Sequence, residues 1–372
     1  MIFCIITHVI HTQVGDKYFG YAPYINEMNI WLKNVNKVII VAPKNNINTT
    51  AIHNYYQHDN IKFIEVPQFS FTNFKNCLKS IFYIPIIFFQ IIKAMFMSNH
   101  IHLRCPGNMG LLASVAQVFF PNKYKTAKYA GNWDSKSIQP LSYKIQKYIL
   151  SNTFLSKKIK VLVYGEWQNQ TKNIKSFFTA TYFKNEIVEI NPRKLDKLIE
   201  FIFVGTLSKG KQPLYAIELI NKLIKKGYKV QLSIYGEGIE KQSVLNYINQ
   251  YNLSEFIFLK GNVNREEMKT IYQLSHFLIL PSKSEGWPKV VAEAMFWGCF
   301  PIATNVSCVS NMLNDENRGM LLSLDKEIDT KNIEKIISNQ TLYNTKIKSA
   351  INWSRQFTID KFESEIKILL QK

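Results

Sequence analysis

Short apolar runs alternate along the whole chain with glycine-containing turns and amphipathic segments, and this alternation constrains the fold more than any other feature. Strands that each lead through a turn into a helix are typical of parallel sheets covered on both faces by helices. The sequence therefore predicts an α/β fold with doubly wound parallel sheets. The predicted strands are residues 2–7, 38–42, 61–66, 101–103, 125–129, 160–163, 201–204, 230–235, 256–259 and 277–280.

The length of the chain predicts more than one domain. At 372 residues it exceeds the size of an ordinary single core. The segment 186–200 is polar, contains Asn191-Pro192 and precedes a second series of strands and helices. We therefore predict an N-terminal domain at 1–190, a C-terminal domain at 191–352 and a final helical segment at 353–372.

The net charge of +19 is unevenly distributed. Residues 1–190 hold 21 Lys and Arg against 8 Asp and Glu, whereas residues 191–372 hold 25 against 19. A basic N-terminal half suggests attraction to anionic lipid, to nucleic acid or to an anionic substrate. A lysine-rich composition that reflects genome base content explains the same totals.

The cysteines and the N-terminus indicate a cytoplasmic protein. The five cysteines are scattered without CxxC spacing, which argues against a disulfide framework and against a zinc site. Residues 1–6 lack the basic start and the long apolar core of a signal peptide.

Residues 81–97 form the most apolar segment of the chain. Seventeen residues is the lower limit for a membrane span, and Pro85, Gln90 and Lys93 interrupt the segment. A core helix is the preferred prediction. An interfacial helix that seats the protein on the inner face of the membrane is the alternative.

Residues 281–298 carry the main candidate site. They follow the predicted strand 277–280 and contain Glu285 in a loop and Glu293 in a helix, with Pro288 suited to the helix start. Eight positions along a loop and helix separate the two carboxylates by roughly 12 Å, too far for the paired carboxylates of a glycosidase. The spacing suits two anchors for an extended ligand, with a helix N-terminus between them for an anion, as in a nucleotide sugar. An ordinary helix with two solvated glutamates has the same spacing.

The residues around this site resemble a known family. Ser284-Glu285-Gly286-Trp287-Pro288, Glu293-Ala294-Met295, Gly298 and Pro301-Ile302-Ala303-Thr304 are similar to the donor-site signature of family 4 glycosyltransferases. The resemblance implies a GT-B fold, in which two Rossmann-like domains face each other across a cleft. It also implies that residues 1–190 form the acceptor-side domain, that residues 191–352 form the nucleotide-sugar donor domain, and that the helix within 353–372 crosses back to the N-terminal domain.

The resemblance also implies roles for individual residues. Glu285 would hold sugar hydroxyls and Glu293 the ribose hydroxyls, while Lys211 binds the donor diphosphate; Glu285 and Lys211 are the predicted catalytic residues. No metal and no other cofactor is expected, and no Asp-x-Asp motif is present in the sequence. The further predicted donor contacts are Lys209, Gly205, Gly20, Gly286, Trp287, Pro288, Lys289, Val290, Gly236 and Val263.

The sequence departs from the family pattern at two positions. Thr206 stands where the family usually has an arginine, and Lys209 is a candidate replacement for its charge. Gly131 stands where a histidine is expected near the sugar. His8 and Asn132 are the predicted sugar or acceptor contacts, and His11, His100 and His102 are alternatives for the missing histidine.

The glycines of residues 15–20 precede a predicted helix and could form a phosphate-binding loop, although a flexible turn is an equally good interpretation. Within this loop, the resemblance points to Gly20.

The predicted function is that of a retaining glycosyltransferase. It would move a sugar from a nucleoside-diphosphate donor to a glycan or lipid-linked acceptor in surface polysaccharide synthesis, in the cytoplasm or on the inner face of the membrane. One alternative keeps the fold with another reaction, such as that of a nucleotide-sugar epimerase or a phosphorylase. A basic nucleic-acid-binding protein is the second alternative, and no nucleic-acid partner is expected under the leading hypothesis.

Overall fold

The protein divides into two compact units. The computed structural model describes residues 1–46, 48–50, 52–69 and 74–371, with the side chains of residues 74–81 outside that description. Unit 1 comprises Met1–Phe178 and Lys361–Lys372, and unit 2 comprises Thr179–Asp360. The predicted boundary between residues 190 and 191 thus lies inside unit 2, and the final segment groups with unit 1 from Lys361 onward.

Unit 1 is built on a seven-stranded parallel sheet with the strand order β10-β9-β8-β7-β1-β4-β6. Its strands are β1 (Ile2–Ile6), β2 (Thr12–Val14), β3 (Lys17–Tyr21), β4 (Lys37–Pro43), β5 (His53–Tyr55), β6 (Ile61–Val66), β7 (His100–Cys105), β8 (Tyr124–Tyr129), β9 (Ile159–Tyr164) and β10 (Ile174–Phe177). Its helices are α1 (Ala22–Leu32), α2 (Phe74–Phe96), α3 (Asn108–Ala116) and α4 (Leu141–Ser151), with a short 3-10 turn at Gln117–Phe119.

The central strands of this sheet are buried on both faces. Phe3, Ile5, Val38 and Ile40 are fully buried, as are the residues between them that point to the other face. Such strands read as continuous apolar runs rather than as alternating ones, because helices cover both faces. This explains why the sequence predicted them well.

The glycine-containing stretch at residues 15–20 forms part of a hairpin and not an irregular loop. Strands β2 and β3 pair antiparallel through the turn at Gly15 (φ +58°), and β3 pairs with β5. Gly20 lies within β3, where a Cβ atom would approach the Ile25 side chain to 3.1 Å. The prediction of a loop was wrong here, and close packing against helix α1 explains the glycine.

Helix α2 is amphipathic. Ile87, Ile91, Ala94 and Met95 are fully buried against the sheet, as expected of a core helix. Ile81, the first residue of the predicted segment, has a side chain outside the described set. Among the described residues, no helix combines the length and the hydropathy that crossing a membrane requires.

Unit 2 is built on a six-stranded parallel sheet with the order β13-β12-β11-β14-β15-β16. Its strands are β11 (Ile199–Val204), β12 (Val230–Tyr235), β13 (Ile257–Gly261), β14 (Phe277–Leu280), β15 (Phe300–Thr304) and β16 (Met320–Leu322). Its helices are α5 (Pro213–Lys225), α6 (Lys241–Gln250), α7 (Arg265–Leu274), α8 (Lys289–Phe296), α9 (Val309–Leu313), α10 (Lys326–Ile337) and α11 (Gln340–Ser354), and a 3-10 turn covers Lys184–Glu186. The last helix, α12 (Ile359–Leu370), begins at the end of unit 2 and continues in unit 1.

An aromatic cluster packs helix α11 against this sheet. Phe201 and Phe277 stack with ring centroids 4.8 Å apart, and Tyr343 of α11 packs against Phe277 and Phe300 at 5.3 and 5.7 Å. Aromatic pairs at these separations contribute about 0.5–1.5 kcal/mol beyond the area they bury. The sheet and its helices therefore form a rigid base for the loops at the carboxyl ends of the strands.

Candidate functional site

The carboxyl ends of β11, β12 and β13 are joined by backbone hydrogen bonds between glycine-containing turns. The amide of Gly205 donates to Tyr235 O, and the amide of Gly236 donates to Gly261 O, at 2.9 and 2.8 Å. A Cβ atom on Gly236 (φ +146°) would lie 1.9 Å from Gly205 O, so only glycine permits this approach. Gly205 and Gly236, both predicted donor contacts, thus shape the floor of this edge, with Val263 half-buried just beyond β13.

The loop between β14 and α8 is held at both ends. Near its start, the Lys283 amide donates to Gly210 O at 2.8 Å. Further along, Gly286 O accepts from Ser307 Oγ at 2.9 Å and from Cys308 Sγ at 3.2 Å. These bonds fix Gly286 and place the intervening Glu285 beside the β11–α5 loop.

Lys211 and Glu285, the two predicted catalytic residues, form an ion pair. The Lys211 ammonium donates to Oε1 of Glu285, although 74 positions separate them in the chain. The lysine side chain is 27% exposed and the glutamate side chain 10% exposed. The pair is therefore partly desolvated, and the lysine keeps enough exposed surface for an incoming ligand to reach the ammonium.

Glu293 accepts hydrogen bonds from two hydroxyl groups. Oε1 accepts from Thr181 Oγ1 at 2.6 Å, and Oε2 accepts from the Tyr272 hydroxyl at 3.1 Å. Burial, reinforced by the charge of Glu293, raises the pKa of Tyr272 well above its usual value, so the phenol stays a donor. Both carboxylate oxygens of Glu293 are consequently arranged to receive hydroxyl protons.

Helix α8 begins directly at the candidate site. Pro288 is the residue that precedes its first turn, one position earlier in the helix than the sequence predicted. Among the described residues no side chain caps this end, so the amides of Lys289 and Val290 have no side-chain partner there. An uncapped N-terminus of this kind favours an anion.

Trp287 has a packing role. Its ring stacks on Trp353 with centroids 6.1 Å apart and meets Phe357 edge-on at 5.7 Å. The Arg318 guanidinium lies 5.0 Å from the Trp353 ring on its side. Trp287 thereby anchors the loop that carries Glu285 to the end of helix α11.

The other predicted residues of unit 2 are less constrained. Lys209 and Thr206 are exposed, and Lys209 has no ion pair in the part of the chain that the structure describes. Thr206 leaves the expected arginine position without a cation. Lys209 is therefore a free positive charge on the same loop as Lys211.

Besides Gly20, two further predicted contacts lie in unit 1. His8 is an exposed residue after β1, and its ring lies where a Cβ on Gly107 would be 3.1 Å from Nδ1. Partial desolvation and the positive charge of Arg104 lower the pKa of His8, which keeps it neutral at pH 7. Asn132 uses Oδ1 to accept from the Asp134 amide at 2.8 Å, so it shapes its own turn.

Sequence reasoning missed several residues of these sites. Thr181 and Tyr272, the partners of Glu293, carry no motif that distinguishes them in the sequence. In unit 1, Glu27 lies 3.6 Å from Arg104 and 3.9 Å from Lys128. Lys128 is fully buried, and its ammonium donates to Phe178 O at 2.9 Å. For the charged residues of unit 1 the sequence offered one signal: Lys128 lies inside the predicted strand 125–129, and Arg104 directly follows the predicted strand 101–103.

Within the described residues no group of three or more His, Cys, Asp or Glu side chains is arranged to hold a metal ion. Positive charge in the candidate site of unit 2 comes from lysines and from helix α8.

A known family model matches part of the chain. Residues 184–353 match the family model "Glycosyl transferases group 1". These residues include the ion pair, helix α8 and the glycine turns.

Curated relatives include named and uncharacterized glycosyltransferases. One is the GalNAc-alpha-(1->4)-GalNAc-alpha-(1->3)-diNAcBac-PP-undecaprenol alpha-1,4-N-acetyl-D-galactosaminyltransferase of Campylobacter jejuni, 22% identical over 54% of this chain. Protein CapJ of Staphylococcus aureus is 22% identical over 91% of this chain and 92% of its own length. The chain spans 55%, 64% and 44% of the length of the Campylobacter enzyme and of two uncharacterized glycosyltransferases, from Haemophilus influenzae and Methanocaldococcus jannaschii.

Solved structures share the fold of the whole chain. Anabaena Alr3699/HepE, solved in complex with UDP, superposes with a TM-score of 0.71 at 10% identity and covers 100% of this chain and 99% of its own. WaaG, a glycosyltransferase involved in lipopolysaccharide biosynthesis, superposes with a TM-score of 0.65 at 11% identity, covering 99% of both chains. The chain thus shares the fold of these two structures, and its two parallel-sheet α/β units confirm the predicted GT-B fold.

Proposed function

The chain carries a group 1 glycosyl transferase domain at residues 184–353, and on that premise we propose that the protein is a retaining glycosyltransferase. It transfers a sugar from a nucleoside-diphosphate donor to a hydroxyl group of a glycan or of a lipid-linked glycan. The reaction belongs to the synthesis of a surface polysaccharide.

The main observation behind this proposal is the ion pair in unit 2 between Lys211 of the β11–α5 loop and Glu285 of the β14–α8 loop. A cation and a carboxylate in hydrogen-bond contact suit the two halves of a nucleotide sugar that meet at the anomeric carbon. The ammonium binds the departing diphosphate and the carboxylate binds sugar hydroxyls. Each of these charge-assisted bonds is about twice as strong as a neutral one.

The chemistry needs positive potential where the bond to the sugar breaks. As the glycosidic bond to the diphosphate lengthens, the sugar becomes oxocarbenium-like and negative charge grows on the diphosphate. Lys211 and the N-terminus of helix α8 supply a fixed positive potential before that charge develops, and such preorganised groups stabilise a transition state most effectively. Exposed Lys209 supplies a second positive charge on the loop in which Thr206 replaces the expected arginine.

Glu293 is suited to a ribose diol. In the structure it already accepts from two hydroxyl groups, those of Thr181 and Tyr272. A ribose with two neighbouring hydroxyls presents the same donors, so the nucleoside can exchange with or add to this network. Glu285 and Glu293 then anchor the two ends of one extended donor.

Two comparisons support the place of the reaction in polysaccharide synthesis. CapJ matches this chain over nearly its whole length, and a 41.2 kDa protein in the cps region of Klebsiella pneumoniae is 23% identical over 74% of this chain. The Campylobacter relative is a transferase whose name specifies an undecaprenol-linked glycan. A lipid-linked glycan is therefore the acceptor class to test first.

The direct test is a thermal-shift screen of the whole protein against UDP, GDP and their common sugar conjugates. A ligand at 100 times its Kd stabilises the folded state by about 2.7 kcal/mol. One base should stabilise selectively, and incubation of that donor with an acceptor should give the α or β linkage that the donor itself carries. No shift with any nucleoside diphosphate, together with tight salt-sensitive binding to DNA or RNA, would replace this proposal with the nucleic-acid alternative.

An anionic membrane is the proposed surface on which the protein works. Helix α2 exposes Phe82, Ile86, Phe89 and Phe96, with side chains 76%, 53%, 63% and 76% exposed. Because these residues are four, three and seven positions apart along the chain, they lie on one face of the helix. Lys93 is exposed on the same helix, and the combination of aromatic residues with lysine is typical of interfacial helices.

Vesicle flotation tests this surface. The full chain should float with vesicles of phosphatidylglycerol and phosphatidylcholine, and the double variant Phe89→Ser, Phe96→Ser should bind at least tenfold more weakly, because each phenylalanine contributes about 2 kcal/mol when buried. Phe154→Ser removes an equally exposed aromatic residue outside helix α2 and serves as the control. Equal flotation of the double variant and the control would contradict the membrane proposal and leave the donor site untouched.

A further inference from the structure

Unit 1 contains a pocket at the edge of its sheet that lies opposite the carboxyl ends of the strands. Its volume is about 590 Å³. The first residues of four parallel strands, His100, Tyr124, Ile159 and Ile174, line it together with the last turn of helix α12. We call it the amino-end pocket. Because doubly wound folds bind their principal ligands beyond the carboxyl ends of the strands, this pocket is separate from the acceptor side of unit 1.

The charge of the amino-end pocket is of one sign. Its lining includes five lysines, and within the described part of the chain no Asp or Glu lines it: Lys125, Lys158, Lys160, Lys172 and Lys175. Lys175 is neutralised by Glu365 at 2.6 Å. Lys158, Lys160 and Lys172 are exposed and form no ion pair among the described residues. Three adjacent cations without a counter-charge favour an anion with several oxygens.

The floor of the pocket is apolar. Ile159 and Leu369 are 2% and 8% exposed, Ile174 is half-buried, and Ile368 of helix α12 is 47% exposed at the rim. Tyr124 completes this side, and the Lys158 ammonium lies 5.1 Å from the centre of its ring. A free inorganic anion would leave these groups uncovered, whereas a ligand with an apolar portion would bury them.

His100 supplies an unsatisfied polar group in the lining. Its side chain is 2% exposed, Nε2 is 3.0 Å from Thr126 Oγ1, and Nδ1 has no hydrogen-bond partner among the described residues. Thr126 Oγ1 also lies 2.9 Å from Nδ1 of His102. When the Thr126 hydroxyl donates its single proton to His100, Nδ1 of His100 carries a hydrogen and is a donor. A buried polar atom without a partner costs about 1–3 kcal/mol, which a ligand or a water held by that ligand can recover.

From these observations we propose that the amino-end pocket binds a phosphorylated amphiphile. The phosphate lies among Lys158, Lys160 and Lys172, and the apolar portion covers Ile159, Ile174 and Leu369. This inference stands on unit 1 alone and does not depend on the donor site of unit 2. Because Ile368 and Leu369 are contributed by helix α12, ligand binding also stabilises the last turn of that helix.

The test compares three soluble probes by titration calorimetry with the full chain. They are inorganic phosphate, dihexanoyl phosphatidic acid below its micelle concentration, and dihexanoyl glycerol. The wild type should bind the phosphatidic acid saturably, at least tenfold more tightly than phosphate, and should not bind the neutral glycerol. The triple variant Lys158→Ala, Lys160→Ala, Lys172→Ala should lose at least tenfold in affinity.

A matched control carries Lys331→Ala, Lys335→Ala and Lys348→Ala, three exposed lysines of unit 2 that form no ion pair in the described ranges. It has the same net charge as the triple variant and should bind like the wild type. Ile174→Asp should abolish binding of the amphiphile while leaving weak phosphate binding, and its fold is checked by circular dichroism.

Equal loss in both triple variants would reduce the effect to net charge and overturn the proposal. Equal affinity for phosphate and for phosphatidic acid would overturn its apolar half. Vesicles of phosphatidic acid that compete with the soluble amphiphile would identify a lipid headgroup as the source, whereas vesicles that do not compete would point to a soluble phosphorylated metabolite.

Discussion

The change Glu285→Gln is the sharpest test of the candidate site, because it should affect binding of the donor sugar and binding of the diphosphate in opposite directions. Glutamine keeps the shape of the side chain and leaves an amide oxygen for Lys211. It removes the charge that strengthens hydrogen bonds to sugar hydroxyls.

The magnitude follows from the contacts. A hydrogen bond to a charged group contributes about 1.5–3 kcal/mol and one between neutral groups about 0.5–1.5 kcal/mol. Loss of charge on two bonds to sugar hydroxyls therefore costs roughly 2–3 kcal/mol in the transition state. At about 1.4 kcal/mol per factor of ten, kcat/KM should fall by roughly 30- to 150-fold.

The affinity for the product nucleoside diphosphate should change in the other direction. Without a sugar, Glu285 only competes with the diphosphate for the Lys211 ammonium and repels it. Removing the negative charge of the partly exposed Glu285 should relieve about 1 kcal/mol of this repulsion and competition, so the Kd of the nucleoside diphosphate should fall by up to about fivefold. Folding stability should change by at most about 1 kcal/mol, because Lys211 is 27% exposed and remains hydrated.

The assay combines initial rates with titration calorimetry and urea unfolding. Glu334→Gln, which removes one partner of the Lys226–Glu334 ion pair at 2.7 Å elsewhere in unit 2, is the matched control. Wild-type turnover in Glu285→Gln would refute the assignment of the sugar anchor. A tenfold weaker affinity for the nucleoside diphosphate would show that Glu285 supports the diphosphate rather than the sugar.

Three further predictions concern charge, metal and pH. Lys211→Ala should weaken binding of the nucleoside diphosphate by about 10- to 100-fold, since a charge-assisted bond is lost; Lys209→Ala should cost less, and calorimetry would contradict the assignment if Lys209 proved the more important. EDTA should leave turnover unchanged, and complete loss of activity that Mn²⁺ restores would refute the metal-free mechanism. Burial lowers the pKa of His11, of His100 and of His276 to about 4 from 6.5 in the unfolded chain. The unfolded state therefore binds more protons between these values, and each histidine should reduce the free energy of unfolding by up to roughly 3 kcal/mol as pH falls from about 6.5 to 4; a flat urea midpoint over this range would contradict the burial of these rings.

The sequence predicted most of the parallel strands because their buried residues form continuous apolar runs, but it missed the parallel strands β10, β15 and β16. Strands β6, β12 and β14 have the predicted bounds, and the other predicted strands differ by a few residues. The short strands β2, β3 and β5 escaped prediction because each has only three to five residues, so its local pattern carries little signal. Gly20 is an example, because it was predicted in a loop and lies within β3.

The hairpin and the amino-end pocket are two features that a local sequence pattern does not determine. A glycine that precedes a helix fits a phosphate loop and a tightly packed strand equally well, and only the packing of Ile25 against Gly20 distinguishes them. The lysines of the amino-end pocket are likewise spread over residues 125–175, and they converge because β8, β9 and β10 lie side by side.

By itself, the sequence determined the α/β class and the residues of one end of the candidate site, because strand, loop and helix signals and the Glu285–Glu293 motif are local. The tertiary structure alone decided that Lys211 reaches Glu285 across 74 positions, that Glu293 receives hydroxyls from Thr181 and Tyr272, and that Glu27, Arg104 and Lys128 lie together in unit 1. The physical reason is that each of these contacts joins residues on different elements, so its energy depends on sheet order and strand register, which no local pattern encodes.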